Sequence, residues 1–562
     1  MWKCIRCEKE NQDSEEMCTA CGHGKTMDYT GHRTLSQISS SVTDNWKSSQ
    51  NTSEYFIKQG REYLQKMIEC LEKTSVDSAD DIENMTVAEL KNYFKTGGTD
   101  AVKENPVLMA DNDEQYVLGS HIERKSIQKI KFVKIKRSQL PESAWDVSSD
   151  ENETIWAWTE DAGRILKIGA ESRIYANSDC SSLFSDYTEV KTIEFNDMFD
   201  TAHVIDMSCM FADCKKLIKL DITGFDTARV KDMSYMFSGC ENLKDLDVTE
   251  FDTACVEDMS FMFADCKKLI KLDITGFDTA RVKDMSYMFS GCENLKDLDV
   301  TEFDTACVED MSGMFSDCKN LTKLNVQGFD TARVKDMSYM FSGCENLKDL
   351  DVTGFDTACV EDMSGMFSDC KNLTKLNVQG FDTARVKDMS YMFSGCENLK
   401  DLDVTGFDTA CVEDMSGMFS DCKNLTKLNV QGIDTGRVRN MSSMFYGCEN
   451  LKDLDVTGFD TACVEDMSGM FSDCKNLTKL NVQGIDTGRV RNMSSMFYGC
   501  ENLVKLDVTK FDTSHVTDMS FMFFGCKNLM ELDGNETIKN YLADTSHMFV
   551  GCEKLGIQNI KE

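Results

Sequence analysis

Phe225-Asp226-Thr227-Ala228-Arg229-Val230-Lys231-Asp232-Met233-Ser234 returns 26 residues later as Phe251-Asp252-Thr253-Ala254-Cys255-Val256-Glu257-Asp258-Met259-Ser260, and the same sentence recurs from Phe199 to Phe511. A fixed period of this size marks a solenoid, whose coils touch only their neighbours and leave one long surface exposed. The apolar set of the coil from Phe225 to Glu250 is Phe225, Val230, Met233, Met236, Phe237, Cys240, Leu243, Leu246 and Val248. Leu243-x-x-Leu246-x-Val248 has the spacing of a short strand that sends alternate residues inward. Val230 to Met233 reads as a second extended piece. Ser234 is expected to cap a helical turn through Tyr235 to Phe237 that Gly239 ends, and Asp226-Thr227 to form a side-chain-capped turn.

The coils alternate between two kinds, so the true unit is 52 residues. One column reads Lys231, Glu257, Lys283, Glu309, Lys335, Glu361, Lys387, Glu413, Arg439, Glu465, Arg491. A second runs opposite: Glu241, Lys267, Glu293, Lys319, Glu345, Lys371, Glu397, Lys423, Glu449. Neighbouring coils thus place opposite charges about 5 Å apart, an arrangement expected to fix coil register and limit edge aggregation.

Apolar content of 41% is enough to fold, and only Pro106 and Pro141 interrupt as prolines. The net charge of −36 is spread along the coils, which gives a solvated surface and disfavours nucleic acid as a ligand of the repeats. No run approaches the ~18 apolar residues of a membrane span, and the start of the sequence lacks the apolar core of a signal peptide.

The 26 cysteines sort by position. One occurs at the coil period from Cys214 to Cys552, beside inward leucines, and is expected to be a small buried ladder residue. Cys255, Cys307, Cys359, Cys411 and Cys463 appear in alternate coils, each before an inward valine, and are expected to point outward, unpaired. Exposed free thiols favour a reducing, cytoplasmic compartment. Stacked aspartates such as Asp226, Asp252 and Asp278 are better turn caps than calcium ligands, because the glycine-rich nonapeptide of calcium β-rolls is absent.

Cys4-x2-Cys7 and Cys18-x2-Cys21 form two knuckles ten residues apart. Four thiolates at this spacing complete a closed tetrahedral shell, so a structural Zn2+ is expected on Cys4, Cys7, Cys18 and Cys21. A redox dithiol pair is the other reading, and it lacks a βαβ context. Trp2-x-Cys4-x2-Cys7-x3-Asn11-x6-Cys18-x2-Cys21 resembles the nucleoporin or Ran-binding-protein zinc finger, whose members bind ubiquitin or single-stranded RNA. It is similar also to the short zinc ribbons that open many prokaryotic proteins. Glu8-Lys9 replaces the Thr-Phe pair of the ubiquitin binders, and Gln12-Asp13-Ser14-Glu15-Glu16 replaces the arginines of the RNA binders.

Residues 24–52 read as a Ser/Thr/Asn-rich linker. Phe56, Gly60, Tyr63, Leu64, Met67, Ile68 and Leu71 predict a helix over about 53–73, packed on its own chain or serving as a coiled-coil or docking helix. A second helix is expected from Thr86 to Phe94, ended by Gly97-Gly98. From about 107 the pattern turns to strands. Ile130 to Arg137 alternates apolar and basic residues, the pattern of an exposed edge strand guarded by lysine. Trp145, Trp156, Trp158 and Ile165 to Gly169 complete a β cap for the first coil. Leu183, Phe184, Val190, Ile193 and Phe195 echo the coil with a one-residue slip. The expected organisation is a zinc ribbon (1–23), a linker with one or two helices (24–106), a β cap with a transitional coil (107–198), and a mainly β repeat solenoid (199–562).

Phe-Asp-Thr-x-x-Val-x-x-Met-Ser-x-Met-Phe-x-x-Cys-x-x-Leu-x-x-Leu-Asp, over about 199–552, resembles the BspA-type leucine-rich repeat, as Ala144 to Trp158 resembles the region preceding such repeats. That resemblance implies a leucine-rich-repeat solenoid and a cell-surface protein that binds host matrix or other cells. The function expected is a non-enzymatic scaffold whose repeat surface binds a protein or glycan ligand. The alternative is an intracellular adaptor or regulator whose zinc ribbon binds a ubiquitin-like protein or nucleic acid. Six scattered histidines and the absence of a nucleophile elbow or phosphate loop give no support for an enzyme.

Overall fold

The computed structural model describes residues 106–109, 118, 122–149, 151–534, 536–538 and 542–556, together with two short strands, β1 (Trp2–Lys3) and β2 (Glu10–Asn11), paired antiparallel. The chain divides into two units, Met1–Glu104 and Asn105–Glu562. Cys4, Cys7, Cys18 and Cys21, the 24–52 linker and both expected helices lie outside the described residues.

The second unit begins with a six-stranded sheet. Its strands are β3 (Lys129–Lys134), β4 (Trp145–Asp146), β5 (Ile155–Glu160), β6 (Ile165–Ala170), β8 (Thr192–Glu194) and β10 (Lys219–Leu220), in the order β10-β8-β3-β6-β5-β4. A separate parallel pair joins β7 (Ile174–Tyr175) to β9 (Phe199–Asp200). The four strands from β10 to β6 run parallel, so the strand row of the first coils continues into this sheet, and β5 and β4 add an antiparallel edge. β3 is therefore a central strand and not the exposed edge its lysines suggest. Ile130 and Phe132 are fully buried, and Lys129 and Lys131 both pair with Glu194 on β8, the latter at 3.1 Å.

From there the coils stack as parallel turns. Short strands occupy the Leu-x-x-Leu segment, as in β11 (Asp401–Asp403) beside β12 (Lys427–Asn429), β13 (Asp453–Asp455) beside β14 (Lys479–Asn481), and β15 (Lys505–Asp507) beside β16 (Glu531–Asp533). A second ladder follows the Asp-Met-Ser aspartate from Asp206 through Asp232 and Asp258 to Asp544. Beside it, alternate amides of one coil reach the next: Met233, Tyr235, Phe237 and Gly239 donate to the carbonyls of Asp258, Ser260, Met262 and Ala264 at 2.8–3.0 Å. Backbone hydrogen bonds thus tie each coil to the next along this flank.

The core is a set of columns. Val230, Met233, Met236, Phe237, Cys240 and Leu243 are fully buried, as are their equivalents from coil to coil. Phe184, Phe211 and Phe237 begin a stack of rings that ends at Phe549, with centroids 5.3–5.8 Å apart and planes within 14°. Stacked aromatics add to area burial in such a column. The periodic cysteine is the buried ladder residue expected, and its thiol donates to the phenylalanine carbonyl of the preceding coil, as from Cys240 to Phe211 at 3.3 Å. A buried threonine does the same in the opposite direction: Thr227 Oγ1 donates to the Asp252 carbonyl at 2.9 Å.

The helical turn expected at Ser234 does not form. Asp232 Oδ1 instead accepts the Ser234 amide at 2.9 Å, and Tyr235 adopts a left-handed conformation that ends any helix. Asp226 caps its turn as expected, accepting the Ala228 amide at 3.1 Å. Among the described residues no helix is long and apolar enough to cross a membrane.

Candidate interaction surface

Two kinds of coil alternate, called A (225–250, 277–302, 329–354, 381–406) and B (251–276, 303–328, 355–380, 407–432). Each of these junctions carries an ion pair from one of the two columns, the column that supplies it alternates, and Arg333 and Arg385 add a longer second contact to Glu309 and Glu361. At A-to-B junctions it is Glu241–Lys267, Glu293–Lys319, Glu345–Lys371 or Glu397–Lys423, at 2.8–3.4 Å. At B-to-A junctions it is Glu257–Lys283, Glu309–Lys335 or Glu361–Lys387 at 2.5–2.6 Å, loosening to 3.9 Å at Glu413–Arg439. In every pair the cation belongs to the later coil.

The position after Ser in Met-Ser-x-Met-Phe lies on the same flank as the aspartate ladder. It holds Tyr235, Tyr287, Tyr339 and Tyr391 in A coils, and Phe261, Gly313, Gly365 and Gly417 in B coils. All eight are left-handed, with φ between +53° and +58°. Tyr339 and Tyr391 lean over the glycine of the next coil; a Cβ on Gly365 would lie 2.5 Å from Tyr339 Cε1. The two residues remain 40% and 44% exposed. At the N-terminal end of the row, Phe261 takes the glycine's place and stacks between Tyr235 and Tyr287 at 4.4 and 4.7 Å. Past Tyr391 the row shifts by three residues to Tyr446 and Tyr498, the latter stacked on Phe524 at 5.0 Å.

Carboxylates flank these rings. Asp310 and Asp388 are half-buried in the aspartate ladder, and burial followed by their stacked neighbours pushes their pKa values up against the pull of their serine hydrogen bonds. The Tyr287 hydroxyl is pushed up by burial first and then by Asp336, Tyr339, Asp310 and Asp362; that of Tyr339 by burial, then Asp388 and Asp362. The strip is therefore aromatic with a negative border.

The zinc-pattern cysteines fall outside the described residues, so they and this strip are not brought together here. The alternate-coil thiols Cys255, Cys307, Cys359, Cys411 and Cys463 are free and half-exposed. The tyrosine row was missed in the sequence, although its signal is present: Tyr and Gly exchange at one position with the same 52-residue period as the charges.

Stacked parallel coils with inward Leu-x-x-Leu segments define the class as a leucine-rich-repeat-like solenoid. Within that class the chain belongs to the family described as "Mycoplasma protein of unknown function, DUF285", whose model matches residues 178–298, 267–375, 345–454 and 439–561. No curated protein matches it. Among solved structures, a leucine-rich cell surface protein from Faecalibacterium prausnitzii A2-165 is 14% identical with a TM-score of 0.27, over 72% of this chain and 87% of that one. The TLR13–ssRNA13 complex is 16% identical with a TM-score of 0.23, over 66% of this chain. The match spans 57% of that structure's length, and likenesses this distant say nothing of a ligand.

Proposed function

We propose that the protein is a non-enzymatic interaction scaffold whose solenoid surface binds a protein or glycan ligand. The observation that supports this most is the Tyr–Gly alternation. A non-glycine residue in the left-handed region costs about 1–2 kcal/mol, and the coil does not need an aromatic there, since Ser443 and Gly469 fill the same position with φ of +56° and +61°. A bulky, part-exposed ring kept at that cost in four successive A coils is explained by contact with something outside the chain. The repeat wording, similar to that of BspA-type surface proteins, points the same way, and the acidic surface disfavours nucleic acid. Cys4, Cys7, Cys18 and Cys21 are proposed to hold a structural Zn2+ by their spacing alone. The test is direct binding of the full chain to glycan and peptide arrays, with Tyr339→Ala plus Tyr391→Ala as the specificity control. Array signals that the double variant leaves unchanged would remove the support for a ligand on this surface. Protease shaving of intact cells separates a surface location from a cytoplasmic one.

A further inference from the structure

Resting on the scaffold proposal, the geometry points to the class of partner: we propose that the tyrosine row binds a basic, proline-rich segment in the polyproline II conformation. Successive tyrosines Tyr287, Tyr339 and Tyr391 recur every second coil, which at the spacing of stacked strands is about 9.6 Å. A polyproline II helix rises about 3.1 Å per residue with three residues per turn, so it presents the same side every ~9.3 Å. One turn of such a ligand therefore matches one tyrosine, and the register holds along the row. A β-strand does not match, since its same-face residues lie about 6.7 Å apart and fall out of step after one coil pair.

The chemistry agrees with the spacing. Prolines dock against partly exposed aromatic side chains because the ligand is already ordered and loses little entropy. The remaining residues of each turn face the half-buried aspartates, exemplified by Asp310, Asp336 and Asp362, whose like charges stack at one-coil intervals. A lysine or arginine there relieves that repulsion, which makes the partner cationic. An acidic or neutral segment lacks this gain. The glycines that alternate with the tyrosines matter as well: Gly365 is what allows Tyr339 to settle across the next coil and keep the row at even height.

The experiment uses the full chain and fluorescein-labelled peptides in anisotropy titrations. The probes are a twelve-residue Pro-Pro-Arg repeat, a Gly-Gly-Arg repeat of equal charge, a Pro-Pro-Glu repeat, and β-linked hexasaccharides as competitors. Binding of the Pro-Pro-Arg repeat is expected to exceed that of Gly-Gly-Arg, to weaken with salt, and to fall about tenfold in Tyr339→Ala plus Tyr391→Ala through loss of two aromatic contacts. Tyr339→Phe should retain it, and circular dichroism melts verify that the variants fold. Equal binding of Pro-Pro-Arg and Gly-Gly-Arg would overturn the proposal, because charge alone would then explain it. So would an unchanged affinity in the double tyrosine variant. Hexasaccharide binding that depends on the tyrosines, without peptide binding, refutes the polyproline partner and leaves the scaffold proposal standing.

Discussion

Removing one coil should harm this protein more than removing two. Deleting residues 329–354 joins a B coil to a B coil. Lys319 then faces Lys371 in place of Glu345, and Glu309 faces Glu361 in place of Lys335. Asp369 arrives where Gly343 stood, and a Cβ at Gly343 lies 2.7 Å from Asp317 Oδ1. The two lysines at one coil spacing in water repel by about 1 kcal/mol, and the lost Glu345–Lys371 pair adds at most about 1 kcal/mol. The collision at Asp317 costs about 1–3 kcal/mol as an overpacked contact. One junction thus loses roughly 2–5 kcal/mol before the second charge column is considered. Deleting 329–380 instead joins B to A: Glu309 meets Lys387, and Asp317 meets Gly395, both native kinds of contact. Solenoid stability is a sum of coil and junction contributions, so plain coil counting ranks the shorter chain as the weaker one. The expectation here is the reverse, with the one-coil deletion melting several degrees below the two-coil deletion in low salt, and added salt narrowing the gap. Thermal melts by circular dichroism at two salt concentrations decide it. A two-coil deletion that melts at or below the one-coil deletion refutes the junction code.

Gly365→Ala should destabilise more than Gly469→Ala, because both pay for the left-handed backbone but only Gly365 lies under a tyrosine; Gly469 meets nothing closer than Ser443 Oγ at 3.2 Å. Tyr339→Ser should recover that difference, with a coupling of about 0.5–3 kcal/mol in urea melts; a coupling near zero removes the steric account. Asp310→Asn should raise the melting temperature at neutral pH. The folded carboxylate has a raised pKa, so its cost is present at neutral pH and is relieved as pH falls through that value; the advantage of the variant should shrink on acidification, and one that grows instead contradicts burial as the cause. In native alkylation followed by peptide mapping, Cys307 and Cys359 should label early and Cys292 and Cys370 only on unfolding, since burial removes their thiols from solvent and raises their pKa to about 12. Labelling in the opposite order refutes the assignment of the two cysteine columns.

Much of the fold was legible because each core column is a repeated letter. Val230, Met233, Phe237, Cys240 and Leu243 could be placed inward from spacing alone, and all are buried. The charge columns were legible for the same reason. Their direction was not: Lys283 reaches back to Glu257, and nothing in the alternation of signs tells that from a reach forward to Glu309. β3 was misplaced because lysine marks an edge only when no carboxylate waits across the sheet, and Glu194, sixty residues on, supplies one. The turn at Ser234 was misread because Ser and Asp both cap by accepting an amide hydrogen bond, and the aspartate two residues earlier takes the role. The tyrosine row escaped notice because a left-handed tyrosine is unusual enough that sequence offers no ground to expect it.

The alternation of charge and the alternation of tyrosine with glycine are one device. At an A-to-B junction the earlier coil supplies a glutamate from the second column and, in the central coils, a tyrosine that settles over the glycine beyond it. At a B-to-A junction the earlier coil supplies a glutamate from the first column and an aspartate that needs glycine beyond it, as Asp369 does at Gly395, where a Cβ would lie 2.6 Å from Oδ1. Each coil is therefore charge-complementary to a successor of the other kind and opposes like charges to a copy of itself. Backbone bonding alone cannot give that order, since Met-Ser-x-Met-Phe segments offer the same amides and carbonyls in every coil. In a chain of near-identical coils, slipping by one repeat keeps every core contact and nearly every hydrogen bond, so register must be set at the surface. A slip of one coil here opposes like charges and, where two B coils meet, also crowds one aspartate onto the next, whereas a slip of two does neither. The 52-residue unit is thus the shortest step that satisfies both columns, and the spacing of the tyrosine row follows from it: the rule that keeps the coils in order also sets the distance between the rings that face a ligand.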